Sequence, residues 1–521
     1  MSEGEADPGS HEFNVEKFAT STLQIQREKK HHRHHHRDTS DDLSKKLISM
    51  PVTAQPSSFK PLHSDFDTEK FLSPLDMDDD IEVLQDYYTC LQITPEQEVQ
   101  LLNLNTLIPE DPTQMRKDPV TEEIICATPE QLILQLTSNK NNMNFQKKFL
   151  ITFPSFSTPN YIFASLLTRF FPDFRDSDKT LNITPKDLKT LRDRIVRIIT
   201  VWTKTAPYQF NDILIEALDR FNNNLKKLGE KYDDKSYNTL SMILEASIKK
   251  LKGEKEEVQF FAKNPIPDTL PLPNKSPSEW TILDINPVEL ARQVTQLHCE
   301  IFMKIGPMEL LTAIWGATKG GGAPNVDDLT KHFDVFSRYV SYTIITQPNP
   351  HDRGHIYKYW VDVAAEFLDH QNLHGMFAVM SGLTHISITR MAETMKYAKK
   401  TNKNRLKVHQ RLLEISDFGQ NYHNYRQFIQ TPHHPRILFL GAYQKDLIYV
   451  QEQFPNKIDG LINVKKCDEC IKLLEAVSGC QNEKFLYKEV PEIQTLIRNI
   501  PNPPESTELM KLSIQTEKKK K

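Results

Sequence analysis

The residues best suited to chemistry are few and scattered in this 521-residue chain. Cys467 and Cys470 form the step CDEC, with Cys480 ten residues further on. A paired step of this kind can begin a zinc site, but a closed site needs four ligands at suitable spacing. Only three cysteines lie in reach, and LINVKKCDECIKLLEAVSG reads as continuous helix, where cysteines one turn apart are ordinary neighbours. HDRGH (351–355) and HHP (433–435) supply imidazoles and a carboxylate. No Ser or Cys stands in an activating context such as G-x-S-x-G, so covalent catalysis is not expected. TKGGGAP (318–324) lacks the G-x-x-x-x-G-K-[ST] spacing and follows no strand, which makes it a loop rather than a phosphate cradle. Neither a metal nor a cofactor is expected.

Any function must therefore come from surfaces presented by the fold. Composition is 38% hydrophobic and 26% charged, with 32 Pro against 16 Gly, which suits helical domains joined by polar linkers. The length exceeds one compact core. A net charge of −4 gives no global argument for nucleic-acid binding, and none is expected. Six scattered cysteines, no apolar leader and no run of 18 apolar residues predict a reducing, cytoplasmic setting.

Residues 1–115 read as a disordered tail, polar and interrupted by REKKHHRHHHR (27–37) and DMDDD (76–80), although PEQEVQLLNLNTL (95–107) has helical character. Residues 116–252 read as a small helical bundle. TPEQLILQLTS opens with an N-cap Thr and Pro at N1, and a second Thr-Pro at 158–159 starts another helix. Residues 253–280 hold five prolines between charged ends and form a linker. Residues 281–515 are dense in helix-period segments with no alternating strand series, so the expected class is all-α. Residues 516–521 are a basic tail.

One helix in the last region has two apolar faces. In LFLGAYQKDLIYVQEQFP (438–455), at about 100° per residue, Tyr443, Leu447, Val450 and Phe454 fall within roughly 60° of one another. Ile448 and Glu452, one turn apart, point roughly 140° to 180° away. The first face can dock. The second leaves an isoleucine beside a carboxylate.

Several ordered blocks resemble the guanine-nucleotide exchange factors of Ras-type small GTPases. INPVELARQVTQLHCEIFMKIGPMELLTAIW (285–315) looks like the opening of the RasGEF catalytic domain, and DLTKHFDVFSRYV (328–340) like its second block. DRGHIYKYWVDVAAEFLDHQNLHGMFAVMSGLTHISITRM (352–391) is similar to its longest block. NYHNYRQFI and PRILFLGAYQKDLIYVQE (421–452) resemble its N-Y-x-x-Y-R and P-x-x-P-x-L-G-x-Y-L-x-D-L steps. Upstream, residues 127–170 resemble the Ras exchanger motif (REM) module. Tyr339, Thr384, Leu438 and Pro154 depart from the family pattern, and Thr384 stands where the family places an Asn facing the GTPase.

The resemblance implies an all-helical bowl with a projecting helical hairpin, its helices at about 441–454 and 461–478. It implies exchange on a Ras- or Rap-like GTPase. Ile448 would block the magnesium site and Glu452 would stand near the phosphate loop. Lys331, Phe377, Thr384, Tyr422 and Phe439 would bind the second switch. Gly441 would permit the turn into the hairpin, while Tyr443 and Leu447 anchor it, and the REM module would prop it. The alternative is a scaffold that binds GTPases without exchange. The basic tract 27–37 and the terminal lysines 518–521 suggest attachment to anionic membrane, at the inner face of the plasma membrane.

Overall fold

The computed structural model describes residues 75–105, 107–138, 143–172, 185–231, 234–253, 266–315, 323–433 and 435–518. The basic tract 27–37, most of TKGGGAP, part of the proline-rich linker and the last three lysines fall outside them. The described chain is predominantly helical, in agreement with the expected class.

The first group of helices comprises α1 (Leu75–Cys90), α2 (Pro95–Leu102), α3 (Pro129–Thr137), α4 (Met143–Thr152), α5 (Pro159–Phe170), α6 (Pro185–Thr205), α7 (Asp212–Lys231) and α8 (Lys235–Leu251). Proline at the first turn, preceded by a capping hydroxyl, starts three of them. Thr94, Thr128 and Thr158 accept hydrogen bonds from the backbone N–H of Gln97, Gln131 and Tyr161. This is the expected exploitation of an N–H that has no helical partner. Trp202, Phe153, Phe163, Phe170 and Phe221 fill the centre, with Trp202 stacked edge-on against Phe153. The Trp202 indole N–H donates to Gln209, whose amide donates in turn to the Leu150 carbonyl. The buried Trp202 and Gln209 donors are thus satisfied.

Two features correct the sequence reading. Residues 75–105 are not part of a disordered tail, because α1 and α2 pack on α5 and α7. Leu84, Tyr87, Tyr88, Leu91, Leu101 and Leu104 are buried there. Tyr88 shares a hydrogen bond with Thr168 at 2.7 Å, and Asn224 donates to the Tyr87 hydroxyl. The acidic stretch before them lowers the average hydrophobicity of the window, whereas stability comes from a few large side chains meeting a preformed surface. The second correction is a four-stranded antiparallel sheet. Strands β1 (Met115–Lys117), β2 (Ile124–Ala127), β3 (Lys457–Ile458) and β4 (Leu461–Asn463) lie in the order β1-β2-β4-β3. Strands of two to four residues are too short to show alternation, and half of this sheet comes from the far end of the chain.

The second group comprises α9 (Pro287–Phe302), α10 (Pro307–Trp315), α11 (Pro324–Ile345), α12 (Pro350–Asp369), α13 (Leu373–Thr384), α14 (Ile386–Thr389), α15 (Ala392–Lys399), α16 (Lys403–Ile415), α17 (Gly419–Ile429), α18 (Leu440–Gln453), α19 (Val464–Gly479), α20 (Pro491–Arg498) and α21 (Ser506–Thr516). Helix α13 is the hub, apolar over most of its surface and covered by α9, α11 and α12. Trp360 and Phe336 meet edge-on beside it. The terminal helix α21 is clamped by Arg353, which is 1% exposed and pairs with Glu517 at 2.9 Å. The Glu517 carboxylate also accepts from the backbone N–H groups of Glu393 and Thr394 at the start of α15.

A trio of enclosed histidines joins α9, α11 and α13. His298 Nε2 and His332 Nδ1 share a hydrogen bond at 2.9 Å, and His298 lies edge-on to His374. His374 Nε2 donates to the Leu329 carbonyl, while His374 Nδ1 and His332 Nε2 have no hydrogen-bond partner among the described residues. Burial holds all three imidazoles neutral. His332 is lowered from 6.5 to about 4, with the nearby Arg498 adding to the effect, and His374 to about 3. An unfolded chain takes these protons near pH 6.5, whereas the folded core refuses them. Stability is therefore full above about pH 6.5 and falls as pH drops from there towards 4. The depression at His332 alone corresponds to about 3 kcal/mol by the end of that window. Urea midpoints at pH 7.5 and pH 5 should differ clearly in the wild type and by less in His332→Asn. Equal differences would remove the trio from the explanation.

Candidate functional site

Helices α18 and α19, with β3 and β4 between them, form a hairpin that stands on the second group of helices. One face of α18 is the anchor. Tyr443, Leu447 and Val450 are 6%, 1% and 5% exposed, and they pack with Leu310, Leu311, Val326 and Leu329 and with Cys470, Ile471 and Leu474 of α19. Burying aliphatic side chains of this size contributes about 1.5–3 kcal/mol each. Arg426 grips Asp446 with both terminal nitrogens at 2.9 Å, holding α17 to the base of the hairpin. Gly441 is tightly enclosed. A Cβ there would lie 2.6 Å from the Phe439 ring, so closeness to that ring is what requires glycine.

The opposite face of α18 is free. Ile448 is half-buried, Tyr449 is 60% exposed, and Glu452 is exposed with no ion-pair partner among the described residues. The two-faced reading of the sequence is therefore realised in three dimensions. Ile448 and Glu452 share that free face, one turn apart.

The tip of the hairpin carries a feature that sequence reasoning missed. β3 and β4 are joined by Asp459 and Gly460, both left-handed at φ 50° and 84°. Two such residues make the turn whose twist matches paired strands, and Asp-Gly is a preferred pair for it. The signal was present in KIDGLIN, an Asp-Gly flanked by apolar residues. Strand β4 also pairs with β2, Cys126 opposite Asn463 and Ala127 opposite Ile462. Asn463 is 3% exposed and serves several neighbours. Its amide donates to the Pro455 carbonyl, and its side-chain oxygen caps α19 at Lys466.

Two ion pairs flank this shared sheet. Arg116 meets Asp459 at 2.7 Å, and Lys148 of α4 meets Asp468 of α19 at 2.7 Å. The first is largely solvated and contributes little, whereas the second is about 70% enclosed on both sides and carries more. Cys467 and Cys470 lie buried in α19. Burial pushes the Cys467 thiol up to about 12, against a hydrogen bond with Thr152, so both cysteines behave as small apolar packing groups. Among the described residues no group of three or more His, Cys, Asp or Glu could hold a metal ion.

The five residues expected to meet a GTPase switch are split by the fold. Lys331 is exposed on α11, and Thr384 is exposed at the end of α13, its hydroxyl donating to the Met380 carbonyl. Phe377, Tyr422 and Phe439 are 1%, 5% and 2% exposed. They form one aromatic cluster, with Phe377 and Phe439 stacked at 4.0 Å and Phe333, Phe418 and Tyr425 around them. In this conformation the three rings lie beneath the surface and support it, since aromatic side chains gain most by mutual enclosure. The approach to Tyr422 runs through three consecutive left-handed residues, Gln420, Asn421 and Tyr422. Such backbone persists only where its surroundings hold it. The ammonium of Lys445, on α18, sits 5.3 Å above the Tyr422 ring.

Comparison with known proteins gives two family matches. The RasGEF domain model matches residues 289–468, and the RasGEF N-terminal motif matches residues 123–223. Ras guanine nucleotide exchange factor J of Dictyostelium discoideum is 27% identical over 407 residues, 77% of this chain and 49% of that protein. Exchange factor R of the same organism is 28% identical over 394 residues, 74% of this chain and 22% of that protein. Cell division control protein 25 of Saccharomyces cerevisiae is 24% identical over 423 residues, 75% of this chain and 26% of that protein. The chain matches half or less of the length of each of these three. With both matches in order along one polypeptide, the chain belongs to the RasGEF family, its catalytic domain preceded by a RasGEF N-terminal motif.

Proposed function

We propose that this chain accelerates GDP release from a Ras-family small GTPase by inserting the free face of α18 at the nucleotide site. The observation that carries the reading is the pairing of Ile448 with Glu452, which has no ion-pair partner among the described residues, on a helix whose other face is firmly anchored. A bound nucleotide is held by a cation and by backbone N–H groups around its phosphates. An alkyl group in the place of the cation offers no ligand, so phosphate repulsion is no longer neutralised. A carboxylate near the phosphate loop engages the groups that held phosphate and keeps the emptied site stable.

Such exchange is a coupling of two binding events. The factor weakens the nucleotide, and the nucleotide weakens the factor by an equal free energy. Nucleotide held at nanomolar affinity requires about 12 kcal/mol of offsetting contacts, more than a hairpin alone provides. Lys331 and Thr384 extend the contact surface in this reading, while Phe377, Tyr422 and Phe439 stiffen it from below. The REM module acts through the shared sheet and the Lys148–Asp468 pair, holding the hairpin upright. Recruitment to anionic membrane through the basic segments 27–37 and 518–521 belongs to the same reading and would place the factor beside a lipid-anchored partner.

Release of fluorescent GDP from Ras- and Rap-like GTPases tests the assignment. Wild-type protein should accelerate release, and Ile448→Ala and Glu452→Ala should each slow it by about tenfold or more, the loss of about 1.4 kcal/mol of coupling. Unchanged rates in both variants would sink the mechanism. Saturable GTPase binding without any acceleration would instead assign the chain to the scaffold alternative. The brace generates a second expectation. Lys148→Glu should slow exchange by about two- to fivefold, and adding Asp468→Lys should restore most of it, since the coupling of a half-enclosed pair is about 0.5–1 kcal/mol. Additive losses in the double variant would show that the pair does not act as a brace.

A further inference from the structure

The segment 396–411, KYAKKTNKNRLKVHQR, carries seven cations and no carboxylate in a chain whose net charge is −4. Arg405 is neutralised by both oxygens of Asp362. The other six, Lys396, Lys399, Lys400, Lys403, Lys407 and Arg411, are exposed and take part in no ion pair among the described residues. We infer that α15 and α16 form a docking surface for an anionic lipid bilayer, separate from the hairpin and built into the folded domain.

The geometry of α16 supports a flat, charged partner. Lys403, Lys407 and Arg411 follow one another at i, i+4 and i+8, so they line one stripe along about 12 Å of helix. Leu412, on the reverse side, is fully buried and fixes the stripe outward. Leu406 and Val408 flank the stripe and are 40% and 39% exposed, at the level where an interfacial helix dips apolar groups between headgroups. The positive field is felt by neighbouring groups. The Lys358 ammonium is depressed by burial first and then by Arg405 and Lys400, and the His409 imidazole by burial and then by Lys399. Glu517 binds the start of α15, and Lys518 follows it exposed, beside the same surface.

An acidic polypeptide fits less well. Five of the six unpaired cations are lysines, diffuse point charges lacking the planar fork that selects individual carboxylates or phosphates. The adjoining cleft between α16 and α17 is lined by Arg411, Glu414, Ile415, Asn424, Gln427 and Phe428, where one cation is balanced by one carboxylate. It provides no basic groove for an extended acidic chain. The inference draws on the proposed function only for the use of this surface, because lipid binding is measured without any GTPase.

The test is flotation of the full chain with vesicles of phosphatidylcholine alone or with phosphatidylserine added. The wild type should float only with the anionic vesicles, and less at high salt. Lys403→Gln, Lys407→Gln and Arg411→Gln together should lower the bound fraction by about tenfold, as should the three Gln substitutions at Lys396, Lys399 and Lys400. Unchanged thermal melting will show that these exposed substitutions leave the fold intact. Full binding by both triple variants, or loss only when the cations of 27–37 and 518–521 are replaced, would overturn the assignment. So would binding of polyglutamate or RNA in preference to anionic vesicles.

Discussion

The pairing of β2 with β4 is the interaction on which the rest of the structure depends. A helical hairpin that projects from a domain is a lever fixed at one end, and its tip would otherwise present open strand edges to solvent. Adding two strands from the REM module satisfies backbone groups that only another strand can satisfy well. Strand pairing also has a defined register. Ala127 opposite Ile462 and Cys126 opposite Asn463 set the hairpin at one position along its length, which apolar contacts alone would specify less sharply. The Lys148–Asp468 contact lies one turn into α19 and resists rotation about the strand pair. Fixed at base and tip, α18 leaves a single face without a structural duty.

At the start of α18 the protein encloses a dense aromatic cluster. Phe377 and Phe439 lie parallel, Tyr422 and Tyr425 meet them edge-on, and His374 connects this cluster to His298 and His332. The Tyr425 hydroxyl accepts from the Phe439 backbone N–H immediately before α18 begins. The start of the hairpin is therefore tied to the same rings that underlie α13 and α17. Close-packed interiors transmit displacement instead of absorbing it. Three neutral histidines serve such a core only while they remain uncharged, which links the stiffness of the platform to pH.

Much of this was legible in the sequence, and the gaps have physical causes. Two helix starts were clear because Thr-Pro steps act locally, through one side chain and one missing N–H. The two faces of α18 were clear because periodicity survives whatever the helix packs against. Burial of Phe377, Tyr422 and Phe439 was not, since a family motif records that a position matters without saying from which side it acts. The β2–β4 contact joins residues more than three hundred apart and carries no local signature beyond Asp459-Gly460. Helices α1 and α2 were obscured by an acidic neighbourhood, although six buried apolar residues were enough to dock them.

His332, His374 and Cys467, whose proton affinities the fold shifts strongly, are enclosed and engaged in packing. Ile448 and Glu452 stand instead on a surface. On the proposed function, that placement suits displacement better than bond-making. A reaction that moves protons needs groups tuned against one another, whereas expelling a ligand needs shape and charge delivered at a fixed place. The free energy available for expulsion is what the partner gains on binding the rigid hairpin, less whatever is spent deforming it. Each restraint on α18, from the shared sheet to the Arg426–Asp446 grip, reduces that loss. On the proposed function, residues far from the nucleotide thus contribute to exchange in proportion to how firmly they hold Ile448 and Glu452 in place.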